Sequence, residues 1–363
     1  MIKINFDCIH FNGAIPCKPN KENDVQCDNC SFYSVPDKRI LIIKLGAIGD
    51  VIRTTPLLVR FRKMYKNPHI TWITHSPAVL PSDKINTILS FNPAGIMRVE
   101  NREFDIAINL DKDEEACMLL SKVNAKEKYG FIWKDNHIDA ATDKAQHKLI
   151  TGLFDHISKK NTKNYLEEIF EICHLDFNKE PYLLNYNKVL AGKWEIIKQK
   201  AGNKHVVGLN TGCGARWKTR LWPDEYWIKL IDLLKKENLF PVLVGGPEEH
   251  EKNLMLAKKA DIYYPGMYGL EEFIALASNL DIIVTQVTMM MHIAIGLKIP
   301  IVLMNNIFNK HEFELYGRGV IVEPETGCDC YFGNTCKRER NCMLDLYPET
   351  ILDEVKNLKK KFY

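Results

Sequence analysis

Several loops of this 363-residue chain carry residues whose types and spacing could do chemistry. In KLGAIGDVIRTTP, Gly46 and Gly49 let the backbone approach a ligand, and Asp50 stands where a helix begins. That carboxylate reads either as a helix N-cap or as a base that takes a proton from a hydroxyl. A helix N-terminus would keep it ionised while weakening its basicity. NTGCGARWKTRLWP offers backbone N–H groups, Thr211, Gly212, Lys218 and Arg220 just before a helix. Aligned donors, a positive dipole end and mobile cations suit a diphosphate, and a basic surface loop is the plain alternative. GGPEEH opens with Gly245 and Gly246 and sets Glu248 and Glu249 where a carboxylate can accept from ribose hydroxyls. The same acids would also suit an ordinary helix start. His292 follows Thr288 near the start of the apolar stretch TMMMHIAIGL, as a ligand contact or as a satisfied core group. Asp111 and Asp113 form a D-x-D of the kind that holds a divalent cation against a diphosphate. They lie in a different domain from the cationic loop, so no metal role is expected of them.

Cysteine supplies a second kind of chemistry. Eight of the eleven cysteines fall within 8–30 and 328–342: Cys8, Cys17, Cys27 and Cys30, then Cys328, Cys330, Cys336 and Cys342. Four thiolates make a closed tetrahedral set, so each cluster is expected to hold a structural zinc or iron and neither to be catalytic. His10 is a substitute ligand in the first. Cys117, Cys173 and Cys213 are isolated and read as small buried hydrophobes. No basic stretch followed by an apolar core opens the sequence, which points to a reducing cytoplasm.

These residues need elements to position them. Residues 39–45 (RILIIKL) form an apolar run bounded by glycine, which reads as a buried parallel strand leading into a helix. Further strands are expected at 69–74, 96–99 and 104–110, and then mainly helices and loops from 116 to 187. A second series has strands at 205–209, 240–244, 281–284 and 300–304, with a helix after Pro223 whose apolar face is Trp227, Leu230, Ile231 and Leu234. Alternating strands and helices in two series predict two α/β domains with parallel sheets. The expected boundaries are a cysteine-rich head at 1–36, domains at 37–190 and 191–322, a cysteine finger at 323–345 and a terminal helix at 346–363. That last helix is amphipathic with a basic end and reads as a solvated surface helix.

Composition removes other classes. Lys and Arg number 49 against 46 Asp and Glu, a net charge of +3, which is too near balance for a nucleic-acid partner. No run approaches the ~20 apolar residues of a membrane span. There is no G-K-[ST], so the turn after residue 45 is not a P-loop, and the missing G-x-G-x-x-G weakens the reading as an NAD-dependent oxidoreductase.

KLGAIGDVIRTTP, the glycine/threonine loop running into WP, GGPEEH and VTMMMHIAIGLKIPIVLMNN occur in that order. Together they resemble glycosyltransferase family 9, the heptosyltransferases that build lipopolysaccharide inner core from ADP-heptose. The resemblance covers about residues 39–320 and implies a GT-B fold of two Rossmann-like domains, with inverting chemistry that needs no metal. It implies Asp50 as the general base, Thr211, Gly212, Lys218 and Arg220 toward the donor diphosphate, Glu249 toward the ribose, and Thr288 and His292 toward sugar and phosphates. Asp50 from one domain would meet the cationic loop of the other on closure. The D-T-G of the family's late motif reads Val287, Thr288, Met289 here. The finger and NNIFNKHEFELYGRG are similar to the autotransporter protein heptosyltransferases, which bind iron at such a finger and assemble into large homo-oligomers. The acceptor is then a glycan or a protein hydroxyl. The rival is a metal-bearing nucleotide- or sugar-binding scaffold that has lost transfer, for which the altered D-T-G is the main support.

Overall fold

A computed structural model of the chain describes residues 3–214 and 216–363. Its contacts divide the chain into two units. The first comprises the chain up to Gly46, Thr55–Leu149 and Ile169–Glu180. The second comprises Ala47–Thr54, Ile150–Glu168 and Pro181–Tyr363. This division differs from one crossing near 190, because 47–54 and 150–168 pack with the second unit.

The first unit is built on six strands: β1 (Lys38–Ile43), β2 (Pro68–Thr74), β3 (Thr87–Ser90), β4 (Glu103–Asn109), β5 (Asn124–Lys134) and β6 (His137–Ala140). Their order is β3-β2-β1-β4-β5-β6, with all neighbours parallel except β5 and β6. Ile40 to Ile43 are completely buried because β1 is central and covered on both faces. Lys44, the one break in that run, is buried against Asp111, whose carboxylate also accepts from the Leu45 N–H. Burial raises the Asp111 pKa against the pull of Lys44, so this member of the D-x-D is spent on a structural pair.

Two sequence expectations fail in this unit. Residues 96–99 lie in a helix, Pro93–Glu100, because Asn92 caps it by accepting from the Gly95 N–H and Pro93 presets its first turn. The β5–β6 hairpin was not expected within 116–187. Asp135 and Asn136 turn it with φ of 49° and 64°, the left-handed pair that a two-residue hairpin requires.

The second unit has five parallel strands: β7 (Val206–Asn210), β8 (Phe240–Val244), β9 (Ile282–Gln286), β10 (Ile301–Met304) and β11 (Gly319–Val322), in the order β11-β10-β9-β7-β8. Both sheets have the Rossmann-like arrangement in which ligand loops follow the carboxyl ends of central strands. Helix Asp224–Lys236 buries Trp227, Leu230, Ile231 and Leu234 on one face of this sheet, as its spacing predicts. Helix Pro348–Phe362 is not merely a surface helix. Its residues Ile351, Leu352, Val355 and Leu358 join the same core, each contributing about 1.5–3 kcal/mol by burial. Cys117, Cys173 and Cys213 are buried, as expected. No helix among the described residues is long and apolar enough to cross a membrane.

Candidate functional site

Asp50 lies in the first turn of the short helix Ile48–Thr54, which packs in the second unit against helix Met289–Leu297. The approach is close enough to require glycine: a Cβ on Gly49 would stand 2.5 Å from His292 Cδ2. Asp50 accepts an ion pair from Arg53 at 2.9 Å, one turn along the same helix. Arg53 also pairs with Glu312 at 2.9 Å and lies 3.3 Å from the centre of the Tyr165 ring. Burial disfavours the Arg53 cation, but Asp50, Tyr165 and Glu312 outweigh it and hold its pKa above the ordinary value.

His292 is 7% exposed and stacks on Tyr182 with a 6.2 Å ring separation. Burial pushes its pKa down to about 3, helped by Arg53 and opposed by Asp50. The imidazole is therefore neutral at ordinary pH, and its Nδ1 is buried with no hydrogen-bond partner. Burial likewise raises the Tyr182 hydroxyl pKa. The structure thus sets one strongly held cation, Arg53, between two carboxylates and near a neutral imidazole.

The loops after β7, β8 and β9 are neighbours because those strands are neighbours. Thr211 is fully buried and its hydroxyl donates to Asn253 Oδ1 at 2.6 Å. A side chain at Gly212 would overlap the Glu249 carboxylate. Glu249 accepts from the Gly246 N–H at 2.9 Å, and a Cβ on Gly245 would lie 2.9 Å from both Asn253 and Glu249. Glu248 shares the short turn Pro247–Glu249. Thr288 caps the His292 helix by accepting from the Met290 N–H at 3.2 Å, and it also accepts from the Asn210 amide at 3.3 Å. Gln286, with its amide oriented to donate, reaches the Gly212 and Asn210 carbonyls at 2.8 and 3.1 Å.

The two cations of the 211–220 loop differ. Lys218 is exposed. Arg220 is buried, and its guanidinium donates to the carbonyls of Cys213, Val287 and Trp217. Arg220 therefore ties the β7 loop to the β9 loop. Burial lowers its pKa.

Arg53, Tyr165, Tyr182, Glu312 and Asn210 belong to this constellation and were not singled out from sequence. The D-x-x-R spacing of Asp50 and Arg53 was readable. The partners at 165, 182 and 312 come together only through the fold.

In the finger, Cys342 lies beside Cys328 and Cys336 beside Cys330. The Cys328 contact pulls Cys342 down to about 6, and Cys328 is correspondingly raised. Asn306 donates to Cys342 Sγ at 3.6 Å, and the Cys330 N–H donates to Cys328 Sγ at 3.3 Å. In the head, Cys8, Cys17, Cys27 and Cys30 line one cavity of about 280 Å³ together with His10. Among the described residues, no three His, Cys, Asp or Glu side chains are gathered as a metal shell. The metal-binding segments expected from sequence thus appear as thiol groupings only.

Residues 96–342 match the family model for glycosyltransferase family 9 (heptosyltransferase). The chain belongs to glycosyltransferase family 9. It is accordingly a glycosyltransferase enzyme. It is 23% identical over 336 residues to lipooligosaccharide heptosyltransferase 2 of Campylobacter jejuni, covering 86% of this chain and 96% of that protein. Solved structures give the same fold. A family 9 glycosyltransferase of Veillonella parvula is 18% identical with a TM-score of 0.71, over 90% of this chain and 98% of that one. TibC of enterotoxigenic E. coli, an iron-containing dodecameric heptosyltransferase solved with ADP-D-β-D-heptose, is 12% identical with a TM-score of 0.57, over 90% and 78%. The matched residues include the β7 and β8 loops and the capped His292 helix, while the Asp50 helix precedes them.

Proposed function

We propose that this family 9 enzyme moves a heptose, with inversion and without a catalytic metal, from ADP-heptose to a hydroxyl of a lipopolysaccharide or lipooligosaccharide core sugar. The observation that carries the reading is Asp50 held by Arg53 beside the neutral, buried His292. Glycosyl transfer passes through an oxocarbenium-like state in which a diphosphate leaves one face while a hydroxyl attacks the other. Asp50 takes the acceptor proton, and Arg53 keeps that carboxylate ionised and oriented. The uncharged His292 ring binds sugar or phosphate without adding charge, and a ligand satisfies its lone Nδ1. The diphosphate lies against the Gly212 backbone, Thr211, Lys218 and the helix start at Thr288, where N–H groups and dipole stabilise the leaving charge. Gly245 and Gly246 let the nucleotide approach, and Glu249 accepts from the ribose. Arg220 acts by fixing the two loops.

The core-sugar acceptor draws support from the Campylobacter relative, 96% of whose length is matched. The finger favours a second acceptor, a serine or threonine hydroxyl of a protein, and a homo-oligomeric assembly. The finger fits a structural iron or zinc by its donor set, four neighbouring thiols of which Cys328 and Cys342 already accept from N–H donors. Cys8, Cys17, Cys27 and Cys30 fit a second such ion by sharing one cavity. The ions would brace their segments and take no part in transfer. A reducing cytoplasm suits eleven free cysteines.

The test is incubation of the purified protein with ADP-heptose and a heptose-deficient core oligosaccharide. ADP release and an acceptor heavier by one heptose are expected, with UDP-sugars inactive. Nucleotide binding without transfer to any acceptor would favour the scaffold reading, consistent with Val287 in place of the aspartate.

A further inference from the structure

The first unit carries a concavity that glycosyl transfer does not use. It measures about 800 Å³ and lies between head segment 6–22 and the amino ends of the strands. Arg39, His69, Thr87 and Glu103 on its wall stand at or beside the first residues of β1, β2, β3 and β4. Ligands of open α/β sheets bind outside the carboxyl ends, so the fold alone does not call for a pocket here. The volume is that of a small-molecule site.

Its charge is unbalanced. Arg39, Arg98, Arg102, Lys18 and Lys21 line it against only Glu22 and Glu103, and Glu22 is paired with Lys18 at 3.8 Å. Among the described residues the three guanidinium groups make no ion pair or hydrogen bond. Burial, Arg98 and Arg39 together pull Arg102 below its ordinary range, and burial with Arg39 and Arg102 pushes His69 down to about 4. Thr71 on the same wall is fully buried and its hydroxyl has no partner. Converging guanidinium groups beside an orphan hydroxyl make a donor set for phosphoryl oxygens. The head supplies the opposite wall with Phe6, Phe11 and Ile15, all exposed apolar side chains.

We propose that this cavity is a second ligand site for a phosphorylated small molecule, with its oxygens on Arg39, Arg98, Arg102 and Thr71 and its apolar body on the head. The site is independent of the transfer reaction. The head then has a task beyond holding thiols: it closes one side of a pocket that the sheet alone leaves open.

The full-length protein is titrated with inorganic pyrophosphate, and binding is located by hydrogen exchange because the 211–220 loop is also expected to take diphosphates. Protection of 8–22 and 98–104 is expected. It should vanish in an Arg98→Gln, Arg102→Gln variant, weaken about tenfold in Thr71→Val, and persist in Lys218→Ala. Geranyl diphosphate should bind the same segments about tenfold more tightly than pyrophosphate, and Phe11→Ala should close that gap. If the double variant does not fold, the exposed Arg98→Gln alone carries the test. Protection confined to the 211–220 loop, or protection of the head that survives loss of the arginines in folded protein, would overturn the proposal.

Discussion

Gly49 offers the sharpest structural test of how the proposed base, Asp50, is positioned. Alanine there would put a Cβ 2.5 Å from His292 Cδ2, roughly 1 Å inside ordinary contact. His292 is buried and stacked on Tyr182, so it cannot simply swing away. The Asp50 helix must therefore move by roughly 1 Å, a displacement that costs on the order of 10²-fold in rate when it shifts a reacting group. Stability is set by two opposed effects: overpacking costs about 1–3 kcal/mol, and replacing a helical glycine by alanine returns up to about 1 kcal/mol. Gly49→Ala should thus lose about 1 kcal/mol in the native background. In a His292→Ala background the clash is gone, and the same substitution should be neutral or stabilising. Urea unfolding of the four proteins measures the sign change, and initial rates of ADP release measure the activity loss. If Gly49→Ala keeps full activity and is equally tolerated in both backgrounds, the packing of these two helices does not set the position of Asp50.

His292 has a folded pKa of about 3 against an ordinary 6.5. Between those values the unfolded chain takes up a proton that the folded one refuses, so stability falls as pH falls. His292→Gln should remove up to about 1.4 kcal/mol per pH unit from the slope of stability below pH 6.5, measured by urea titrations at several pH values. Arg220→Lys keeps the charge but cannot span the Cys213, Val287 and Trp217 carbonyls, so it should lose about 2 kcal/mol of stability and weaken ADP binding; calorimetry reads both. Elemental analysis of protein purified anaerobically without chelator should find one iron or zinc per cysteine cluster, and Cys328→Ser with Cys342→Ser should remove one of them.

What the sequence disclosed followed the range of its physical signals. The buried run of β1, the glycine turn behind it and the strand-end loops at 211, 245 and 288 were legible because apolar runs and glycines are local. The β5–β6 hairpin was not, because Lys126, Glu127 and Lys128 make the first half of β5 polar on both faces and the turn depends on the short Asp135–Asn136 pair. Residues 96–99 look like a strand only if the cap at Asn92 and Pro93 is overlooked. The terminal helix has the amphipathic spacing of a surface element, but nothing local says how deeply its apolar face sits in the core. At the site, Arg53 could be read from its distance to Asp50, whereas Glu312 and Tyr165 reach it only through tertiary folding. Arg220 was read as facing a diphosphate, and its bonds to three backbone carbonyls are a second role that no local signal announces.

The role proposed for Asp50, removal of the acceptor proton, depends on its negative charge. Asp50→Asn preserves shape and leaves Arg53 its contacts with Glu312 and Tyr165. Transfer from ADP-heptose by this variant should fall about 10²–10⁴-fold, with ADP affinity by calorimetry unchanged. Transfer at or near the native rate would contradict the account.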